Sequence, residues 1–555
     1  QALHLVQRLN YPTAEANIFN SLGGVAHLQG NEAEALHYYQ ASLATAQAAG
    51  ERYQEAIALG GLGLIYAQQK QYTEAIQYQE KSWQLAQQIG DRYLEGITLG
   101  NWGDTLRRQD NLPAAAEKLQ QALDLFTSLR FNLEDAEKIS LFDTQVLTYQ
   151  KLQQVLVAQN RIETALEVAE AGRARAFVER LASTPIPPPS IADIRRIASM
   201  QKATIVQYSL IPDENYVSQG KQQGNPAYLY IWVVQPNGYI HFHATNLHQQ
   251  GFDDFNNMIR THRQALFSRN PQRRNQALQE LYNLLIAPIA PQLPTDANSP
   301  VILVPQGLLF LLPFPAFITP AGDSLIEQHT LLTAPSIQTL ELTQQHRQQI
   351  TTEQALVVGN PTMPRLPLQD TPLIPLPGAE QEAIAIADLL QTAAIIGDRA
   401  TEAAIREQIT QARYIHLATH GLLQEIQDLG KAPGAIALTP TPDNDGFLTS
   451  PEIINLSLNA ELVVLSACDT GRGTITGDGV VGLSRAFLAA GTASLVATLW
   501  KIPDTPTAVL MTEFYRQLQH TPNKAQALRH AMLHTKAIYP HPRDWAGFTL
   551  MGEQR

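Results

Sequence analysis

The opening of the chain, as far as Leu129, repeats itself. The stretches SLGGVAHLQGNEAEALHYYQASL, GLGLIYAQQKQYTEAIQYQEKSW and NWGDTLRRQDNLPAAAEKLQQAL align at one fixed period, with Leu22, Leu62 and Trp102 equivalent. Gly23, Gly63 and Gly103 follow them, then Ala35, Ala75 and Ala115, and Gly50 and Gly90 close the first two units. Each unit carries two amphipathic helical patterns around a short polar turn, QGNEAE or QKQYTE, with small residues where helices must approach. One helix pair cannot bury its own apolar stripe, so the pairs are expected to stack into an α-solenoid. The concave groove of such a solenoid suits a protein or peptide partner, and a spacer would need no groove.

These units resemble tetratricopeptide repeats (TPR) with an extended second half. Further helical patterns run from Leu133 to about Ala182, and TPIPPPS then interrupts them. Pro185, Pro187, Pro188 and Pro189 each fix φ and lack an amide donor, which makes 184–190 a stiff connector after a helical domain of residues 1–183. Beyond it the pattern changes to short apolar runs, among them ATIVQYSL, AYLYIWVV, VILVP, ALVVGNP, YIHLATHG, AELVVLSAC and ASLVATLW, separated by longer amphipathic stretches. That alternation predicts an α/β module, and uninterrupted apolar strands such as LVVLS predict a mainly parallel sheet covered by helices on both faces.

Hydrophobic residues make up 44% of the chain and charged residues 16%, enough for several packed cores in 555 residues. A net charge of −12 and the lack of a long Lys/Arg run argue against direct nucleic-acid binding. There is one cysteine, so no internal disulfide can form, and a lone thiol fits a reducing, cytoplasmic setting. No apolar stretch approaches the ~20 residues of a membrane helix, so no membrane partner is expected. The chain opens QALHLVQRLN, without Met or a signal-peptide core, and reads as processed, trimmed or an excerpt.

Two strands end in reactive side chains: YIHLATHG in His420 and ELVVLSACDTG in Cys468. Open α/β sheets gather their sites at the carboxyl ends of parallel strands, where neighbouring strands far apart in sequence can meet. Each residue alone is readily explained as packing, Cys468 as a small buried residue and His420 as a satisfied loop histidine. Together they are expected to form a dyad, in which the imidazole would raise the thiolate fraction and the thiolate would attack a carbonyl. Backbone amides of Gly421 and Cys468 are suited to an oxyanion hole.

HLATHG and LSACDTG are similar to the two signatures of the CHAT domain, a bacterial branch of the caspase and separase group. VPQGLLFLLPFPAF (304–317), LPGAEQEA (376–383), GFLTSPEI (446–453), GVVGLSRAFLAAGTASLVATLWKIPD (479–504) and WAGFTLMG (545–552) also resemble that family. The resemblance implies His420 as general base and acid, Cys468 as nucleophile and a caspase-like fold. Helical repeats before a CHAT domain are that family's usual architecture. It further implies that Asp504, after LWKIP, binds a basic side chain before the scissile bond; Asp469, next to Cys468 in sequence, is the other carboxylate that could reach the pocket, or it hydrogen-bonds within its own ACDTG turn. His416, four residues before His420, is expected to pack or orient the turn; zinc at the His416/His420 pair would need a helix and further ligands. In TPDNDGFLTSPE, Asp443, Asp445, Gly446 and Glu452 approach a calcium-loop spacing, but Thr441 stands at its first position, so no metal or other cofactor is expected.

Residues 191–350 carry strands and no cysteine, resembling the silent half of separases, ahead of an active half at 351–555. The expectation is a cysteine endopeptidase cutting a protein substrate recruited by the TPR groove, with Arg or Lys favoured before the scissile bond and an uncharged residue there left open, and with docking of a partner able to switch the site on. The alternative is a non-catalytic adaptor with a caspase-like scaffold, because fold alone does not establish chemistry.

Overall fold

The computed structural model describes residues 2–129, 135–182, 186–212, 216–218, 221–223, 225–366, 371–422, 434–466, 474–476 and 479–555. For 135–143, 216–218, 221–223, 474–476 and 479–481 it describes the backbone alone. The chain forms two compact units, Gln1–Gly172 with Ile211–Gly224, and Arg173–Leu210 with Asn225–Arg555.

The first unit is the expected solenoid. Helices Pro12–Leu28 and Glu32–Ala49 pair, as do Arg52–Gln68 with Tyr72–Ile89 and Arg92–Arg108 with Leu112–Leu129, before Asp135–Ala158 and Ile162–Ala171. The repeated glycines face repeated partners. A Cβ on Gly23, Gly63 or Gly103 would lie 2.9, 2.7 or 2.6 Å from Tyr39, Gln79 or Leu119, which recur at the same period as the glycines, so only glycine lets the paired helices close. Ala35, Ala75 and Ala115 are fully buried. The turn inside each pair places Gly30, Lys70 and Asp110 at φ of 77°, 62° and 65°, so the left-handed turn also recurs with the period. Asp104 is buried between Arg107, Arg108 and Lys151, at 2.9, 3.1 and 3.4 Å.

Strands are numbered along the chain: β1 (Thr204–Pro212), β2 (Tyr216–Ser218), β3 (Lys221–Gln223), β4 (Pro226–Val234), β5 (Ile240–Asn246) and β6 (Pro300–Val304). Next come β7 (Thr330–Thr333), β8 (Gln354–Pro361), β9 (Ala394–Gly397), β10 (Ala412–Ala418), β11 (Gly421–Leu422) and β12 (Ala435–Ala437). The last are β13 (Phe447–Thr449), β14 (Leu462–Leu465), β15 (Thr474–Thr476), β16 (Gly479–Val481), β17 (Ser494–Thr498) and β18 (Phe548–Gly552).

Among the described residues, the second unit is built on one sheet of eleven strands in the order β5-β4-β1-β6-β7-β18-β17-β14-β10-β8-β9. The sheet is mainly parallel, as the apolar runs predict: β1, β6 and β14 are buried along their whole length. Its two blocks run in opposite directions. The strands from β1 through β6 and β7 to β18 are mutually parallel, and so are β17, β14, β10, β8 and β9. They meet at the antiparallel β17–β18 pair.

Helix Arg175–Ala182 lies in this second unit and contributes Phe177, Val178 and Leu181 to the core around Ile415, Leu417, Leu465 and Leu495. Arg173 and Arg175, beside or within it, are buried because backbone carbonyls take their guanidinium protons: Tyr208 and Pro305 for Arg173, Ile186 for Arg175.

Candidate active site

β10, Ala-Arg-Tyr-Ile-His-Leu-Ala, is half-buried at Arg413 and Tyr414 and buried from Ile415 to Ala418, and the chain leaves the sheet at Thr419, His420 and Gly421. A small antiparallel sheet fixes this exit. Gly421 pairs with Ile436, the Ala437 amide donates to the His420 carbonyl at 3.0 Å, and buried Thr419 Oγ1 donates to the Ala437 carbonyl at 2.8 Å. The His420 ring is partly exposed, and its Nε2 is 2.7 Å from the Ile374 carbonyl. A carbonyl only accepts, so Nε2 carries the proton, and the neutral imidazole keeps its lone pair at Nδ1.

β14 runs parallel beside β10, with His416 against Val464 and Leu417 against Leu465. It ends at Leu465, and the hydroxyl of the next residue, Ser466, is buried without a partner among the described residues. Cys468 and Asp469 lie outside the described residues.

A cleft opens where β10, β14 and β17 end, and Thr419, Ser466 and Thr498 line it. Glu382, Lys501 and Asp504 bring its charges. Asp504 is the first residue of helix Asp504–Leu518, where the helix dipole favours a carboxylate. It abuts Gly378 in the first turn of helix Pro377–Leu389: a Cβ there would lie 2.4 Å from Asp504 Cβ and 2.8 Å from its Oδ2. The structure thus brings His420, Gly421 and Asp504 to the same end of the sheet.

His416 is fully buried on β10. Its Nε2 is 3.0 Å from Glu382 Oε1 and its Nδ1 3.3 Å from the Tyr515 hydroxyl, whose ring meets the imidazole edge-on. Burial, reinforced by the Glu382 charge, pushes the Tyr515 hydroxyl well above its ordinary range, so it keeps a proton to donate to Nδ1. Sequence reasoning singled out neither Glu382 nor Tyr515, because they stand 34 and 99 residues from His416. The acidic turn near Asp443 has local partners: Asn444 Oδ1 accepts from the Gly446 amide, Asp445 Oδ1 from the Phe447 amide, and Glu452 from Thr449 in a capping box.

A family profile described as the CHAT domain matches residues 275–553, half of the chain. The chain belongs to the CHAT-domain family. A tetratricopeptide-repeat profile matches residues 13–82 and 54–128, ahead of the CHAT domain. Human tetratricopeptide repeat protein 28 is 26% identical over 603 residues, covering 80% of this chain and 23% of its own length. The mouse protein of the same name is 26% identical over 596 residues, covering 80% and 24%. The chain therefore spans about a quarter of the length of these curated relatives.

Among solved structures, the separase of the Saccharomyces cerevisiae separase–securin complex is similar with a TM-score of 0.47 at 10% identity, over 98% of this chain and 53% of that one. The Arg-specific cysteine proteinase gingipain R gives 0.32 at 14% identity, over 55% of this chain and 75% of that one. Among the described residues, no helix is long and apolar enough to cross a membrane.

Proposed function

We propose that the chain is a cysteine endopeptidase in which His420 and Cys468 form the dyad. The observation that carries this reading is the β10–β14 register: the step in sequence from His416 to its partner Val464 equals the step from His420 to Cys468. With its Nε2 proton on the Ile374 carbonyl, His420 offers Nδ1 as the base. The Cys468 thiol gives its proton to Nδ1, and the thiolate attacks the scissile carbonyl. The tetrahedral oxyanion draws on the amides of Gly421 and Cys468, and it collapses to a thioester as His420 returns the proton to the leaving amine. Water, deprotonated by His420, then hydrolyses the thioester.

The cleft beyond the dyad is where the side chain preceding the scissile bond enters, and Asp504 selects Arg or Lys there, with Asp469 as the second carboxylate. Residues 191–350 brace residues 351–555, and the TPR solenoid recruits the protein substrate or an activating partner in the cytoplasm. Partner control is expected to appear as faster cleavage of a recruited protein than of a short peptide of the same sequence.

The test is cleavage of a mixed-sequence peptide library by the full chain beside Cys468→Ala and His420→Ala, with products read by mass spectrometry. Cleavage that falls at least about 10³-fold in both variants is expected. Cleavage that persists in them would overturn the dyad. A wild-type chain that cuts neither peptides nor a captured partner protein would favour the adaptor.

A further inference from the structure

The carbonyl that orients His420 belongs to Ile374, in the sequence Ile374-Pro375-Leu376-Pro377-Gly378. Neither proline has an amide proton, so the amide of Leu376 is the one donor from 375 to 377. That amide donates to the side-chain Oδ1 of Asn360 at 2.7 Å. The Asn360 Nδ2 in turn donates to Glu380 Oε2 at 2.9 Å, in the first turn of the helix that Pro377 begins. Upstream, the Leu373 amide is held by the Pro364 carbonyl at 2.9 Å. The Ile374 carbonyl thus sits between a backbone anchor and a side-chain anchor.

The placement of Asn360 is itself specialised. It lies near the carboxyl end of β8, beside β10, and interrupts the β8–β9 register between Gly359 and Pro361. Its φ is 43°, in the left-handed region that asparagine tolerates better than most residues. On the same strand end, a Cβ at Gly359 would lie 2.4 Å from Ala383 and 2.7 Å from the Ala379 carbonyl, so the helix bearing Glu380 is drawn tightly onto β8.

We infer that Asn360 is the positioning residue of the His420 centre: it holds Leu376 so that the Ile374 carbonyl keeps the imidazole proton on Nε2. This role rests on the peptidase reading for its consequence in catalysis, but its effect on the imidazole exists without catalysis. Asn360→Gly keeps the left-handed backbone and removes the anchor. Asn360→Asp combined with Glu380→Gln rebuilds both hydrogen bonds: the carboxylate introduced at position 360 accepts from the Leu376 amide and from the side-chain amide introduced at position 380.

The experiment is nitrogen-15 NMR of histidine-labelled full chain, with the His420 ring assigned by its loss in His420→Ala, alongside peptide turnover. The wild-type ring is expected in the Nε2–H tautomer, mixed in Asn360→Gly and restored in the double variant. kcat should fall at least about 10-fold in Asn360→Gly with KM within about 2-fold, and recover in the double variant. A His420 spectrum unchanged by Asn360→Gly would overturn the inference, and so would equal loss of the tautomer in both variants. A wild-type chain that shows the Nε2–H tautomer but cleaves nothing would count against the peptidase reading alone.

Discussion

Gly378 and Asp504 are packed so closely that the glycine sets where the carboxylate points. Gly378→Ala is expected to push Asp504 aside, lowering kcat/KM for peptides with Arg or Lys before the scissile bond about 10-fold while sparing peptides with a neutral residue there; parallel assays of the two classes check this. Asp504→Asn removes the charge itself and should cost basic peptides about 100-fold in kcat/KM. Behind the cleft, Tyr515→Phe leaves the buried Nδ1 of His416 without its donor, and denaturant melts should register a loss of about 1–3 kcal/mol. The position of His420 at the end of a strand could be read from the sequence, because an apolar run stops there in a small-residue turn. Its partner could not, since a backbone carbonyl 46 residues upstream leaves no mark in the residue type at Ile374.

At the scale of elements, the repeat period gave the helix pairs and their glycine contacts directly, because each helix packs on the next in sequence. The Asp104 cluster escaped that reading: Lys151 comes from the helix Asp135–Ala158, which lies beyond the repeat. Burial alone would raise the Asp104 carboxyl, but Lys151, Arg107 and Arg108 outweigh it and hold the group well below the usual carboxylate range. A folded-state pKa below the unfolded value gives stability that is present above about pH 4 and lost as pH falls through the folded value. Asp104→Asn should therefore cost about 3 kcal/mol at pH 7, by stranding Lys151, and should flatten the fall in stability below about pH 4; urea melts across pH would show both. Helix Arg175–Ala182 carries the same amphipathic pattern as the solenoid helices, yet it packs in the α/β core. The pattern shows that a helix buries a face, and it does not show against what.

For the α/β unit as a whole, the apolar strands announced a parallel sheet, but neither the count of eleven nor the reversal at β17–β18 could be read from them, since strand order depends on contacts between distant segments. The first block reaches the second through a strap, Leu499 to Asp504. Arg263, on helix Phe255–Ala265, donates to the Leu499 carbonyl at 2.8 Å, Phe267 meets Trp500 edge-on at 5.6 Å, and Trp500 Nε1 donates to the Arg543 carbonyl. Phe267→Ala with Arg263→Ala should raise KM for basic peptides several-fold while the rate of Cys468 alkylation by iodoacetamide stays unchanged, which separates the strap from the nucleophile. The opposed directions of the two blocks put the carboxyl ends of their strands on opposite rims of one continuous sheet. The seam pair β17–β18 and the strap are the parts of the sheet that both blocks share, as one axle serves two wheels.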